Sequence, residues 1–151
     1  MSTTTRLILP FTRPPVTAND ARRGGTGHWS QQSQAKGDVA AAVIAVGRAA
    51  RVPTYEACTV TLVWYTADRI ARDCDGLFPM LKACLDALTP ARAPIPAGTP
   101  LPSGGRRKRH HPGKPGLGVI ADDNCAVVRR TSTEIRLASP PARLELIIEP
   151  V

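Results

Sequence analysis

At 151 residues the chain has room for one compact domain and little more. Apolar residues make up 42% of it but aromatics only 4%, so a core must be assembled from Val, Ile, Leu and Ala, and so thin a core invites support from a partner subunit. The formal charge of +8 points to a polyanionic partner, and no apolar run approaches the length of a membrane span.

Near the start, Arg6-Leu7-Ile8-Leu9-Pro10 is too short for the apolar region of a secretory signal, so a soluble, cytoplasmic protein is expected. Residues 5–9 read as a first strand ended by Pro10. Pro14, Pro15, Asn19, Gly24 and Gly25 then mark a long polar loop carrying Arg13, Arg22 and Arg23. Ser30 is a good N-cap for a first helix in which Ala35, Val39, Ala42, Val43, Val46 and Ala50 recur at helical spacing, ending near Arg51 before Pro53. Just before it, Trp29 reads as a hydrophobic staple or a base-stacking residue and His28 as a surface histidine.

Over 56–65, Cys58, Val60, Leu62 and Trp64 alternate with Thr59, Thr61 and Val63, which favours a strand running towards a cluster of charge. Pro79 suits the first turn of a second helix with an apolar stripe of Leu81, Cys84, Leu85 and Leu88, a polar face including Lys82 and Asp86, and a stop at Pro90. Residues 89–119 hold seven of the 15 prolines and half of the 12 glycines, a composition that resists packing and reads as an insertion or flexible loop. Residues 126–135 and 143–149 read as two final strands joined through Pro140 and Pro141. The expected order is βαβαββ, an α+β domain with a small mixed sheet covered by two helices.

The charge is unevenly placed. Between 89 and 119 lie Arg92, Arg106, Arg107, Lys108, Arg109 and Lys114 and no acid, a net +6 that leaves only +2 for the rest. The run Arg106-Arg107-Lys108-Arg109-His110-His111 suits a phosphate grip, salt-sensitive and without base specificity; the alternative is a solvated linker. Cys58, Cys74, Cys84 and Cys125 show no CxxC spacing and read as free thiols filling the core. A zinc site joining some of them to His110 and His111 has no paired-ligand motif behind it.

The segment Arg72-Asp73-Cys74-Asp75 and the later Asp122-Asp123 carry the strongest chemical signal. If the chain is still extended at Asp73, alternation puts Asp73 and Asp75 on one face, where two repelling carboxylates favour a hard cation such as Mg²⁺ between them. Acidic pairs in loops are more often solvated or cap helices. Lys82, seven residues after Asp75, is placed to neutralise a phosphate or position an attacking water, or else to make an i,i+4 pair with Asp86.

Taken together, Arg72-Asp73-Cys74-Asp75-Gly76-Leu77, Lys82-Ala83-Cys84-Leu85-Asp86-Ala87-Leu88 and Ile120-Ala121-Asp122-Asp123 resemble the R-D-x-D-N-L, K-x-x-x-D-A-L and closing D-D segments of the RusA-type Holliday-junction resolvases. The opening Leu9-Pro10-Phe11 and Pro15-Val16-Thr17-Ala18-Asn19 are similar to that family's start. The resemblance covers most of the chain outside 89–119. It implies a homodimeric, Mg²⁺-dependent endodeoxyribonuclease, with Mn²⁺ as a substitute ion, that resolves four-way DNA junctions by paired symmetric nicks in the recombination and repair of a bacterial or phage-infected cell. Asp73, Asp75 and Asp123 would be its metal carboxylates, Lys82 its catalytic lysine and Asp122 an auxiliary ligand. Arg13, Arg22, Arg23, Arg72 and the 106–109 run would face DNA. The chain departs from the pattern in three places: Gly76 where Asn is common, extra residues including Pro79 before Lys82, and the long 89–119 segment. From the residues alone, a non-catalytic nucleic-acid-binding protein and a metal-dependent nuclease with another DNA target stand beside this reading.

Overall fold

Four stretches alternate apolar and polar side chains, and in the computed structural model, which describes residues 3–18 and 28–151, they pair into one sheet. The strands are β1 (Thr5–Leu9), β2 (Cys58–Thr66), β3 (Val128–Leu137) and β4 (Arg143–Pro150), in the order β1-β4-β2-β3. β4 runs antiparallel to β1 and β2, while β3 lies parallel to β2 along the far edge, so the sheet is mixed. With helices α1 (His28–Ala49) and α2 (Phe78–Leu88) the fold is α+β.

The two-residue period puts Leu7 and Leu9, Cys58, Val60 and Leu62, and Leu144, Leu146 and Ile148 on one face. These side chains form a single core with Val39, Val43 and Ile44 of α1 and Met80, Leu81, Cys84, Leu85 and Leu88 of α2. The opposite face is mixed: beside Ile8, Val63 and Ile147, Arg6 and Arg143 reach Glu145 at 3.6 and 3.2 Å, and Thr61 and Ser132 share a hydrogen bond of 2.8 Å. A register shift between Cys58 and Thr59 lets Val128 sit opposite Cys58 while Thr133 sits opposite Leu62, which aims Thr133 at the helix layer.

Local boundaries differ from the sequence reading where backbone geometry intervenes. α1 begins at His28, so Ser30 lies in its first turn rather than capping it, and Ala50 lies beyond its end, exposed. The helix stops where Arg51 takes a left-handed φ of 52° and the Val52 amide bonds the Gly47 carbonyl at 3.1 Å. The side chains of His28 and Trp29 lie outside the described residues. The first half of the expected polar loop is packed: Val16 is buried, Phe11 rests on the core, and Trp64 Nε1 donates to the Thr12 carbonyl at 3.1 Å.

Only two of the four cysteines fill the core. Cys58 and Cys84 are buried, and burial raises both thiols, Cys84 to about 12; Cys74 and Cys125 stand exposed. A thiol reagent at neutral pH is therefore expected to label Cys74 and Cys125 in the native protein and Cys58 and Cys84 only after denaturation, as read by peptide mass mapping. Fast native labelling of Cys84 would contradict this packing.

Residues 89–119 pair with themselves. Antiparallel bridges join Arg92 to Lys114, Ile95 to His111 and Pro100 to Arg106 in one constant register, with reciprocal amide–carbonyl bonds of 2.8–3.0 Å at the first two. Prolines at 94, 96, 100, 112 and 115 lack an N–H, so the ladder closes only between them. The ribbon is rooted on α2: the amides of Leu117 and Val119 bond the carbonyls of Ala87 and Leu88, at 2.7 and 3.0 Å. Val119 and Ile120 then enter the core.

Candidate active site

β2 ends at Thr66, and the chain turns through a short acidic connection before α2. Asp68 anchors that turn, accepting the Ile70 amide at 3.0 Å and a two-pronged bond from Arg72 at 2.6 and 2.9 Å. The guanidinium holds the Asp68 carboxyl below its ordinary range and is itself raised; its carbon also lies 4.7 Å from the centre of the Trp64 ring. Arg72, expected to face DNA, thus already braces the loop.

Asp73 is extended (φ −89°, ψ 128°), but Cys74–Leu77 form a 3₁₀ turn, so the strand alternation invoked for Asp75 does not apply. The turn brings the pair together by another route. Asp73 and Asp75 both line a cleft of about 370 Å³ whose other walls include Trp64, Leu77 and Ile135. Thr133 fixes the turn to the sheet edge by donating from Oγ1 to the Cys74 carbonyl at 2.8 Å, and the Ala18 amide bonds the Gly76 carbonyl at 3.2 Å. Asp73 occupies the N-cap position without capping with its side chain; the Gly76 amide takes the Asp73 carbonyl instead, at 3.1 Å. A cap that serves only folding would use the carboxylate. No such use is made of Asp73.

The third acid arrives from a distant stretch. Lys82 Nζ, one turn into α2, donates to Asp86 Oδ1 at 2.7 Å and to Asp123 Oδ2 in a shorter contact. The Asp123 and Asp86 carboxylates raise the Lys82 ammonium, and Lys82 in turn lowers Asp123. For Asp123 the coupling to folding is present above its unfolded value near 4 and lost as pH falls through the lower folded value. For Lys82 it is present below the ordinary lysine value and lost as pH rises through the higher folded one. Both groups are charged throughout the neutral range.

Asp122 is committed elsewhere, since its two oxygens accept the Asp123 amide at 2.8 Å and Asn124 Nδ2 at 2.7 Å. Among the described residues, no group of three His, Cys, Asp or Glu side chains is gathered so as to enclose an ion. The carboxylates therefore stand as an Asp73–Asp75 pair on the cleft and as Asp86 of α2 and Asp123, both bonded to Lys82. In donor chemistry they suit a hard divalent cation, because all are carboxylate oxygens.

Of the residues expected on DNA, Arg13 is exposed beside Trp64 and Arg72, and Arg22 and Arg23 lie outside the described residues. Arg106, Lys108 and Arg109 are exposed near the far end of the ribbon, with Arg107 half-buried among them. Sequence reasoning missed Asp68 and Thr133, which position the turn, and Lys114, whose Nζ caps α2 through the Asp86 carbonyl at 2.7 Å and Thr89 Oγ1 at 2.6 Å. An Asp four residues before Arg72 was a readable signal for the first; nothing local marked the other two. No protein-family model and no curated protein matches the chain. No described helix is long and apolar enough to cross a membrane.

Proposed function

We propose that the protein is a Mg²⁺-dependent, structure-selective DNA endonuclease of the RusA resolvase type that nicks four-way junctions as a homodimer. The observation that carries the reading is the Lys82–Asp123 contact, which joins two of the three acidic and basic segments of the resemblance across 41 positions of chain. Support also comes from Asp73 and Asp75, which share one cleft and whose carboxylates make no hydrogen bond or ion pair among the described residues.

On this reading Asp73, Asp75 and Asp123 would hold the cation, which when bound would supply a water-derived nucleophile and charge stabilisation at the phosphate. Lys82 remains an ammonium at neutral pH because two carboxylates hold its proton, so it acts as a positive charge towards the phosphate rather than as a base. Asp68 and Arg72 keep the Asp73–Asp75 turn in place. The decisive experiment offers a synthetic four-way junction and a linear duplex to the purified protein with Mg²⁺ and maps the nicks. Paired nicks in the junction with the duplex largely intact are expected. No cutting with any divalent metal would sink the proposal.

One observation favours a second reading, a nucleic-acid-binding protein whose acids are structural: Lys82 is satisfied by Asp86 and Asp123 without any ion. Calorimetric titration with Mg²⁺ or Mn²⁺ separates the two. Heat that disappears in Asp75→Asn supports the nuclease, and heat unchanged by that substitution supports the binding protein. Cutting of DNA substrates other than junctions would move the same site to a different nuclease specificity.

A further inference from the structure

We infer that the 89–119 ribbon is a separate grip for B-form duplex, which seats its far end in a groove and holds phosphates there independently of the acidic cleft. The inference deepens the nucleic-acid reading above and rests on it only for the class of partner.

The charge of the ribbon is not internally compensated. It carries six basic residues and no acid, and among the described residues none of Arg92, Arg106, Arg107, Lys108 and Arg109 forms an ion pair. Lys114, at the root, is spent on the end of α2. Arg106 donates only to a ribbon carbonyl, that of Gly98 at 2.9 Å, and Arg107 Nε is buried with no partner. Cationic side chains concentrated at one end of an antiparallel pair, with their countercharge absent, define a polyanion site.

The shape selects among polyanions. Two paired strands fit the roughly 12 Å major groove of B-form DNA, whereas the major groove of an A-form RNA helix is too deep and narrow for side chains to read. From Arg92 to the turn at Leu101–Gly105 the ribbon extends on the order of 30 Å at strand rise, long enough to reach from the α2 end of the molecule into a neighbouring groove. It contains no Phe, Tyr or Trp, the large aromatic platforms on which single-stranded bases stack best, and His110 and His111 are its only aromatic rings. Its root sits on Asp86, the partner of Lys82.

The test measures binding of the full chain in EDTA to a short B-form duplex, an RNA duplex and a single strand of the same length, over a range of salt. The expected result is tightest binding to the B-form duplex, with the salt slope of log K reduced by about 3 in the R106A/K108A/R109A variant and by about 1 in Lys108→Ala. All three side chains are exposed, and an unchanged thermal melt confirms that the variants fold. A wild-type slope in the triple variant, or RNA duplex or single strand bound as tightly as B-form DNA, overturns the inference. Because binding is read without metal, ribbon-dependent duplex binding in EDTA together with no nicking in the separate Mg²⁺ assay defeats the nuclease proposal and leaves this one standing.

Discussion

Asp73→Asn is expected to reduce junction nicking by at least about a hundredfold in kcat while junction binding stays within about twofold. Losing an outer-shell partner of a metal ligand already costs roughly 10–100-fold, so loss of a ligand itself should cost no less. The substitution is nearly isosteric at an exposed position. It also leaves the 3₁₀ turn intact, because the Gly76 amide bonds the Asp73 main-chain carbonyl and the carboxylate makes no cap. Stability should move by no more than about 0.5 kcal/mol. Removing a negative charge beside DNA does not weaken binding, since the attraction comes from Arg and Lys elsewhere. Single-turnover nicking and a gel-shift on the same junction check both halves. Nicking at the wild-type rate, or binding lost in step with nicking, would show that Asp73 does not serve an ion. Asp122→Asn is the contrast: its oxygens are committed to the Asp123 amide and Asn124, and the amide side chain keeps the first bond and loses only the second, so its effect on nicking should be far smaller.

The strands and helices were readable because their signals are local. Val60, Leu62, Leu144 and Leu146 alternate, and Pro79 and Pro90 bracket the stripe of Leu81, Cys84, Leu85 and Leu88. Met80, Ala83 and Ala87 escaped that stripe yet are buried, because α2 packs against α1 and is met by the root of the ribbon as well as by the sheet. Within the site, the acids were identifiable by type and the i,i+4 partner of Lys82 by spacing. The route that brings Asp73 and Asp75 to one cleft was not, since a 3₁₀ turn and an extended strand share the same D-x-D letters. The ribbon was hidden for a related reason: its ladder runs through main-chain atoms, and the prolines that interrupt it mimic the composition of a loop.

That ribbon depends on close approaches of backbones at Gly113 and Gly116, and Gly116→Ala is expected to disrupt it. A Cβ at Gly116 would stand 2.1 Å from the Thr89 carbonyl oxygen and 2.6 Å from the Ala91 nitrogen, both main-chain atoms that cannot swing aside as a side-chain tip does. Relief requires the incoming strand to move off the end of α2, which strains the bonds from Leu117 and Val119 to Ala87 and Leu88 and lifts Val119 and Ile120 from the core. Overpacking of this kind costs about 1–3 kcal/mol, and at about 2–4 °C per kcal/mol for a chain of this size the upper end corresponds to a Tm loss of roughly 6–12 °C. Gly37→Ala supplies the internal control. It lies in mid-helix with nothing within 4 Å of the added carbon, so it should instead stabilise α1 by roughly 0.5–1 kcal/mol. Thermal melts of the two variants side by side should shift in opposite directions. A Gly116→Ala protein that melts with the wild type would mean that the ribbon root does not hold the close crossing described for it.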